Sequence, residues 1–234
     1  MTLGAPRSPG NAEFGYHPGM TRIRGLIFDL DGTLADTLAT IGNAVNFALE
    51  QVGLAPHPLD EYRTMVGEGV VVLCERALGE KYQGRLEELL AAVRRRYATH
   101  LMDGTRAYEG IPEVLGELRR QDLKMAVLSN KPHDLTRDTI EGLGMTPLFT
   151  TVLGQQDDLP RKPDPAAVHL ILEEWGLKRN EVLFVGDTPT DMKTARAAGL
   201  RAVGVTWGFR GADELRAAGA DVLIDHPREL LSLL

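Results

Sequence analysis

Short apolar runs punctuate the chain at residues 25–29, 124–129, 150–154, 182–187, 202–206 and 222–225. Their near-continuous Val, Ile, Leu, Phe and Ala content, without apolar–polar alternation, predicts strands buried on both faces of a parallel sheet. Helical periodicity separates most of them. Residues 112–120 carry Val114, Leu115 and Leu118; residues 132–143 carry Leu135, Ile140 and Leu143; residues 164–175 carry Val168, Leu172 and Trp175, with Pro165 at an early helical position. Residues 190–198 end at Gly199, a helix-stop signal. Strand and helix in alternation predict an α/β, Rossmann-like core: a central, mainly parallel sheet flanked by helices.

The alternation breaks once. Between the first run and residue 124 the pattern is helical, over residues 37–51, 59–65, 70–78 and 85–101, punctuated by Gly53, Pro56, Pro58, Gly67, Gly69 and Gly79. This predicts an α-helical cap over residues 37–107, inserted in a core made of residues 21–36 and 108–234. Loops at strand C-termini carry function on such sheets, so the insert is expected to lie over the site. Residues 1–20, rich in Gly and Pro and without an apolar signal stretch, are read as a flexible leader.

Composition narrows the function. A net charge of −7 and the lack of a basic stripe argue against nucleic acid; Arg94, Arg95 and Arg96 are read as a solvated helix face. No run approaches the ~18 apolar residues of a membrane span. A single cysteine, Cys74, allows no internal disulfide, fits a reducing cytoplasm, and lies among apolar neighbours as a core residue would. The six histidines lack metal-ligand spacing, so zinc is not expected. There is no Gly-x-Ser-x-Gly elbow and no Gly-Lys-Ser/Thr phosphate loop.

Chemistry gathers at the predicted strand ends. The first run leads into Asp29 and Asp31, followed by Gly32 and Thr33; the second ends in Ser129-Asn130-Lys131; the fourth ends in Gly186-Asp187-Thr188, with Asp191 four positions beyond Asp187; Lys162 stands in Arg161-Lys162-Pro163-Asp164-Pro165. A parallel sheet converges these ends on one edge. Carboxylates gathered there repel one another, and a Mg²⁺ ion resolves that while keeping positions for phosphate oxygens. A lysine and a serine complete a phosphoryl site, and Gly32 lets the backbone approach a ligand closely. Taken alone, Asp29 and Asp31 also suit a plain Asp-Gly turn, Ser129-Asn130 a helix cap, Asp164 a cap before Pro165, and Trp207-Gly208-Phe209 packing.

Asp29-Leu30-Asp31-Gly32-Thr33-Leu34 resembles the first motif of the haloacid-dehalogenase-like phosphatase superfamily. Leu128-Ser129-Asn130, Lys162-Pro163-Asp164-Pro165 and Gly186-Asp187-Thr188-Pro189-Thr190-Asp191 resemble its second, third and fourth, in the family's order and across residues 24 to about 225. "TMVGEGVVVLCERAL", "LSNKP" and "GVTWGF" are similar to the phosphoglycolate phosphatase branch, with Glu109 standing where that branch usually carries proline. The resemblance implies a Mg²⁺-dependent phosphatase of a small phosphorylated metabolite, 2-phosphoglycolate first. Asp29 is then the nucleophile, and Asp31 the acid and base. Lys162 neutralises Asp29 and the phosphoryl oxygens. Ser129, Asn130 and Gly32 lie at the phosphate. Asp29, Asp187 and the main-chain oxygen of Asp31 hold the metal, and Thr33 and Asp191 steady the site from behind. The neighbours of Asp31 are expected to be negative, which would favour the protonated form that the first step needs. Gly67-Glu68-Gly69 is read as a cap loop facing the site, with Arg63 beside it meeting a substrate carboxylate. The alternatives are a pyrophosphatase or sugar-phosphate phosphatase or mutase on the same scaffold, and, from another class, a catalytically idle binding module. Oligomeric state, a homodimer included, is left open.

Overall fold

The computed structural model describes residues 22–234; the leader expected over residues 1–20 lies outside the described residues. Strand β1 (Gly25–Phe28) opens the core. β2 (Ala35–Asp36) and β3 (Arg106–Ala107) form a small antiparallel ladder of their own, pairing Ala35 with Ala107 and Asp36 with Arg106. β4 (Lys124–Pro132), β5 (Thr151–Gln155), β6 (Val182–Gly186), β7 (Arg201–Val205) and β8 (Val222–Ile224) complete, with β1, a six-stranded parallel sheet in the order β5-β4-β1-β6-β7-β8. No strand was expected between residues 37 and 124; β3 corrects that. Two residues are too few to show any periodicity, and β3 exists only because β2 lies beside it.

Alternation within the strands decides which helix layer each side chain meets. Leu26 and Phe28 of β1 and Leu183 and Val185 of β6 point into one core, with Val114, Leu115 and Leu118 of α5 (Ile111–Arg120). Ile27, Val182 and Phe184 point into the other, with Val168 and Ile171 of α7 (Ala166–Trp175) and Met192 and Ala195 of α8 (Pro189–Ala198). Both faces are therefore dry, which is why the strands read as unbroken apolar runs. In chain order the remaining helices are α1 (Leu38–Gln51), α2 (Tyr62–Met65), α3 (Val70–Leu78), α4 (Leu86–Thr99), α6 (His133–Gly142) and α9 (Ala212–Ala218). Residues 59–65, expected as one helix, are a 3₁₀ turn followed by α2.

Helices α1 to α4 pack on one another around a third core that includes Leu49, Tyr62, Cys74, Leu89 and Val93. Phe209, which follows β7, inserts into that core from the far end of the chain. Burial pushes the Cys74 thiol up to about 12, so it packs as an inert apolar group. No helix among the described residues is long and apolar enough to cross a membrane.

Candidate active site

The sheet order reverses direction between β1 and β6: the chain moves outward from β1 through β4 to β5, then returns to β6 on the other side. Open parallel sheets bind ligands at this switch point, in the crevice beyond the strand C-termini. The residue after β1 is Asp29 and the residue after β6 is Asp187, so register alone (Phe28 beside Val185) brings the two carboxylates together.

Four further elements close on them. Lys162, from the loop before α7, places Nζ 2.9 Å from Asp29 Oδ1 and 2.7 Å from Asp191 Oδ1. Asp191 lies in the first turn of α8, and its other oxygen accepts from the Thr188 amide at 3.0 Å and hydroxyl at 2.7 Å. One side chain thus caps a helix and orients the lysine. Asp187 accepts from Thr33 Oγ1 and from the Phe209 amide, each at 2.8 Å. Trp207 Nε1 donates to the Thr33 carbonyl at 3.0 Å and braces the same turn. Gly32 adopts φ +87°, and a Cβ there would lie 2.2 Å from Asp187 Oδ2, so the turn that follows Asp31 needs glycine on both counts.

Asp29, Asp187, Asp191 and Lys162 are all buried. Burial, and then the Asp191 charge, push the Asp29 carboxyl up to about 7 against the pull of Lys162. Burial, Asp191 and Asp29 hold Asp187 well above the ordinary carboxylate range. Burial works against the Lys162 charge, but Asp191 and Asp29 outweigh it and hold its pKa above the usual lysine value. Fully ionised, three carboxylates and one ammonium leave two uncompensated negative charges in a low-dielectric space, a costly arrangement. Asp29, Asp187 and Asp191 each offer an oxygen within 4.8 Å of the others. A divalent cation with oxygen ligands fits that donor set and that charge.

The other expected site residues fall as follows. Ser129 is buried, and its hydroxyl accepts from the Lys131 amide at 3.3 Å while keeping its own proton to donate. Asn130 lines the same cavity, but its side chain is engaged structurally: Oδ1 accepts from the Lys162 amide at 2.9 Å, and Nδ2 donates to the carbonyls of Lys162 at 3.0 Å and Gly67 at 3.1 Å. It holds Lys162 in place and ties the loop before α3 to the core. Gly67 and Gly69 line the cavity, as the reading of that loop expected. Arg63 does not. Its Nη1 donates to the Gly208 carbonyl at 3.0 Å and its Nε lies 3.6 Å from Asp60, so it fastens α2 to the loop after β7. Arg210 adds two more fastenings, donating to the carbonyls of Thr64 at 2.9 Å and Val66 at 3.1 Å.

The surroundings of Asp31 are not purely anionic. Its Oδ1 lies 3.0 Å from Nζ of Lys131, a buried lysine that also donates to the phenol oxygen of Tyr97 on α4. Strand order brings Lys131 to this edge, but which carboxylate its ammonium meets depends on side-chain packing, because β4 runs on past Ser129 to Pro132 and aims Lys131 at Asp31. Tyr97 carries no signal of its own in the sequence. Its position on an ordinary helical stripe gives no sign of where the stripe is aimed.

Asp29, Asp31, Ser129, Asn130 and Lys131 form the floor of a cavity of about 70 Å³ roofed by α1, α3 and α4. That is far below the roughly 300–1,000 Å³ of sites for drug-sized molecules, so only a small ligand fits.

A parallel sheet with its polar groups concentrated at the switch-point crevice, under a helical roof, defines an α/β enzyme that works on a small molecule at the carboxyl edge of the sheet. The sequence model of the haloacid dehalogenase-like hydrolases matches residues 26–205. The chain belongs to the haloacid dehalogenase-like hydrolase family. It is 34% identical to a phosphoglycolate phosphatase of Pectobacterium atrosepticum over 92% of this chain and 94% of that one. It is 35% identical to one of Rhodospirillum rubrum over 80% of each. Among solved structures, one from Lactobacillus delbrueckii subsp. bulgaricus, provisionally assigned as a phosphoglycolate phosphatase, superposes with a TM-score of 0.87 at 29% identity, covering 91% of this chain and 98% of that one. CbbY of Rhodobacter sphaeroides, solved with phosphate, shares the fold with a TM-score of 0.75 at 23% identity over 89% of this chain and 96% of its own.

Proposed function

We propose that this protein is a Mg²⁺-dependent phosphatase of small phosphate monoesters, working through an aspartyl-phosphate on Asp29, with 2-phosphoglycolate as its first candidate substrate. The observation that carries the reading is the placement of Asp29: desolvated, 2.9 Å from a buried lysine, and beside Asp187 at the switch point. The substrate is suggested by the relatives named above. Residues 37–107 are taken as a cap over a core of residues 21–36 and 108–234. The cytoplasm is the proposed compartment, in keeping with a single, buried and unpaired thiol.

Asp29 and Asp187, with the main-chain oxygen of Asp31, would hold the Mg²⁺ ion, which supplies positive charge to the phosphoryl oxygens. In the first step a carboxylate oxygen of Asp29 bonds to phosphorus as the ester P–O bond breaks, and Asp31 gives its proton to the leaving oxygen. In the second, water attacks phosphorus, Asp31 takes its proton, and the bond from phosphorus to Asp29 breaks to release inorganic phosphate. Among the described residues, the donors to Asp29, the Leu30 amide at 2.7 Å and Lys162 at 2.9 Å, fall on Oδ1, which leaves Oδ2 for phosphorus. Lys162 and the Ser129 hydroxyl bind the equatorial oxygens, whose charge stabilisation dominates a loose transition state. Asn130 keeps Lys162 in place, Asp191 aims it, and Thr33 aims Asp187.

The test is phosphate release with Mg²⁺ from a panel of 2-phosphoglycolate, sugar phosphates and pyrophosphate. Preference for phosphoglycolate supports the substrate. Preference for another ester or for pyrophosphate replaces the substrate and keeps the chemistry, and no release from any compound overturns the reading.

A pH dependence also follows. A carboxyl raised from 3.8 to about 7 on folding keeps its proton in the native state where the unfolded chain has lost it. Native stability is therefore greatest below pH 3.8 for this group and is lost as pH rises to about 7. In chelator, calorimetry should show the wild type losing stability relative to Asp29→Asn across that window, and Mg²⁺ should remove the difference. Parallel curves in chelator would mean that Asp29 is not desolvated.

A further inference from the structure

Among the described residues, the phosphoryl-transfer chemistry leaves one buried cation without a role. Lys131 stands near the end of β4, and its Nζ has two protein partners, Asp31 Oδ1 at 3.0 Å and the phenol oxygen of Tyr97. The ammonium also lies 4.7 Å from the centroid of the Tyr97 ring. Burial works against its charge, but Asp31 and Tyr97 more than offset this, so it stays protonated. Burial pushes the Tyr97 phenol up to about 12, so the ring stays neutral. An ammonium has three N–H donors. Two are taken, which leaves one, and Lys131 lines the cavity.

The walls there are apolar: Ile41 and Val45 of α1, Leu73 of α3, Val93 of α4 and Leu135 of α6. In such a wall a fixed charge acts strongly on whatever enters. Its position also selects which part of the substrate it meets. Lys162 and Ser129 serve the phosphoryl oxygens, whereas Lys131 touches Asp31, the group that reaches the leaving oxygen. With Nζ 3.0 Å from Asp31 Oδ1, a carboxylate carried on the leaving alcohol beside Asp31 would meet the Lys131 ammonium, and a hydrocarbon there would leave that donor unpaired.

We propose that Lys131, held in place by the Tyr97 hydroxyl, is the specificity-determining anchor for an anionic group carried on the leaving alcohol. The proposal rests on the phosphatase reading and narrows it to esters of small hydroxy acids. The discriminating part of the site then belongs to the core strand, with α4 supplying only the residue that positions it.

The Mg²⁺-loaded enzyme is compared on 2-phosphoglycolate and on ethyl phosphate, which matches it in size but has a neutral leaving group. The quantity read is the ratio of the two kcat/KM values. Lys131→Met should lower that ratio about 30-fold or more, mostly through KM for phosphoglycolate, because a site built to pair a charged group loses most when the pairing is removed. Tyr97→Phe keeps the ring and loses the hydroxyl, and should lower the ratio about three- to tenfold. Should the methionine variant not fold, Lys131→Gln removes the charge and keeps a donor. Arg94, an exposed cation at the cavity rim on α4, is the control. A ratio unchanged by both Lys131 variants means that Lys131 serves Asp31 alone and overturns the proposal. So does a ratio that survives in them and collapses in Arg94→Met, which moves the anchor to α4. A wild type active on both esters without preference overturns the anchor and spares the phosphatase reading. A wild type inactive on both overturns the reading itself.

Discussion

Asp29→Asn is expected to reduce phosphate release by at least ~10³-fold while leaving the fold intact, since removing a nucleophile leaves only binding and electrostatic assistance. The amide is the same size and cannot attack phosphorus. Lys162 keeps Asp191 as a partner at 2.7 Å, and the Leu30 amide can still donate to the amide oxygen. The substitution also removes a carboxyl that burial already disfavours, so the thermal midpoint in chelator should hold or rise at neutral pH. Two measurements decide. Turnover of the best ester gives the rate. Acid quenching during turnover of a ³²P-labelled ester should trap labelled wild-type protein and no labelled variant. Activity above about a tenth of wild type, with label still on the protein, would place the nucleophile elsewhere.

The second large effect is on stability. Lys162→Met should cost roughly 3–5 kcal/mol at neutral pH in chelator, because it leaves Asp29, Asp187 and Asp191 buried with no protein cation at hydrogen-bond distance. For a chain of this size that lowers the melting temperature by roughly 6–20 °C. Adding Asp191→Asn to Lys162→Met should recover much of the loss, since the interaction belongs to the pair. Calorimetry of the two single variants, the double variant and the wild type closes the cycle. A cost below ~1 kcal/mol for Lys162→Met would mean that the carboxyls stay protonated without the lysine and that the cluster carries little charge to compensate.

Much of this arrangement is legible in the chain because the physics behind it is local. Strands covered on both faces read as apolar runs, and the residues that end them, Asp29, Ser129 and Asp187, must emerge at one edge. The rule for parallel sheets converts that order into proximity without any knowledge of side-chain contacts. Lys162 was legible through the segment that holds it; α8 begins at Pro189, one residue earlier than its periodicity indicates, because Thr188 and Asp191 cap it. The illegible part depends on how the roof meets the floor. Nothing local in Arg63 indicates that it reaches a carbonyl at Gly208, and nothing local in Phe209 indicates that it joins the core of a helical layer from the opposite end of the sequence. Nor does anything local in Asn130 indicate that its side chain holds the Lys162 backbone. Lys131 and Tyr97 lie 34 positions apart, and only packing makes them neighbours.

The ladder of β2 and β3 has a historical consequence. Its two strands leave and re-enter the sheet region side by side, Ala35 against Ala107 and Asp36 against Arg106, so the chain enters and leaves the intervening segment at one place. Insertions whose ends meet in space are tolerated without disturbing the host. A gene can therefore exchange, lengthen or lose that segment by recombination at two nearby codons, with no strand of the sheet re-threaded. The ties to be renegotiated are those that join the segment to Asn130, Lys131, Arg161, Gly208, Arg210 and Phe209. Descendants of such an event would inherit the phosphorus chemistry unchanged and acquire a new roof.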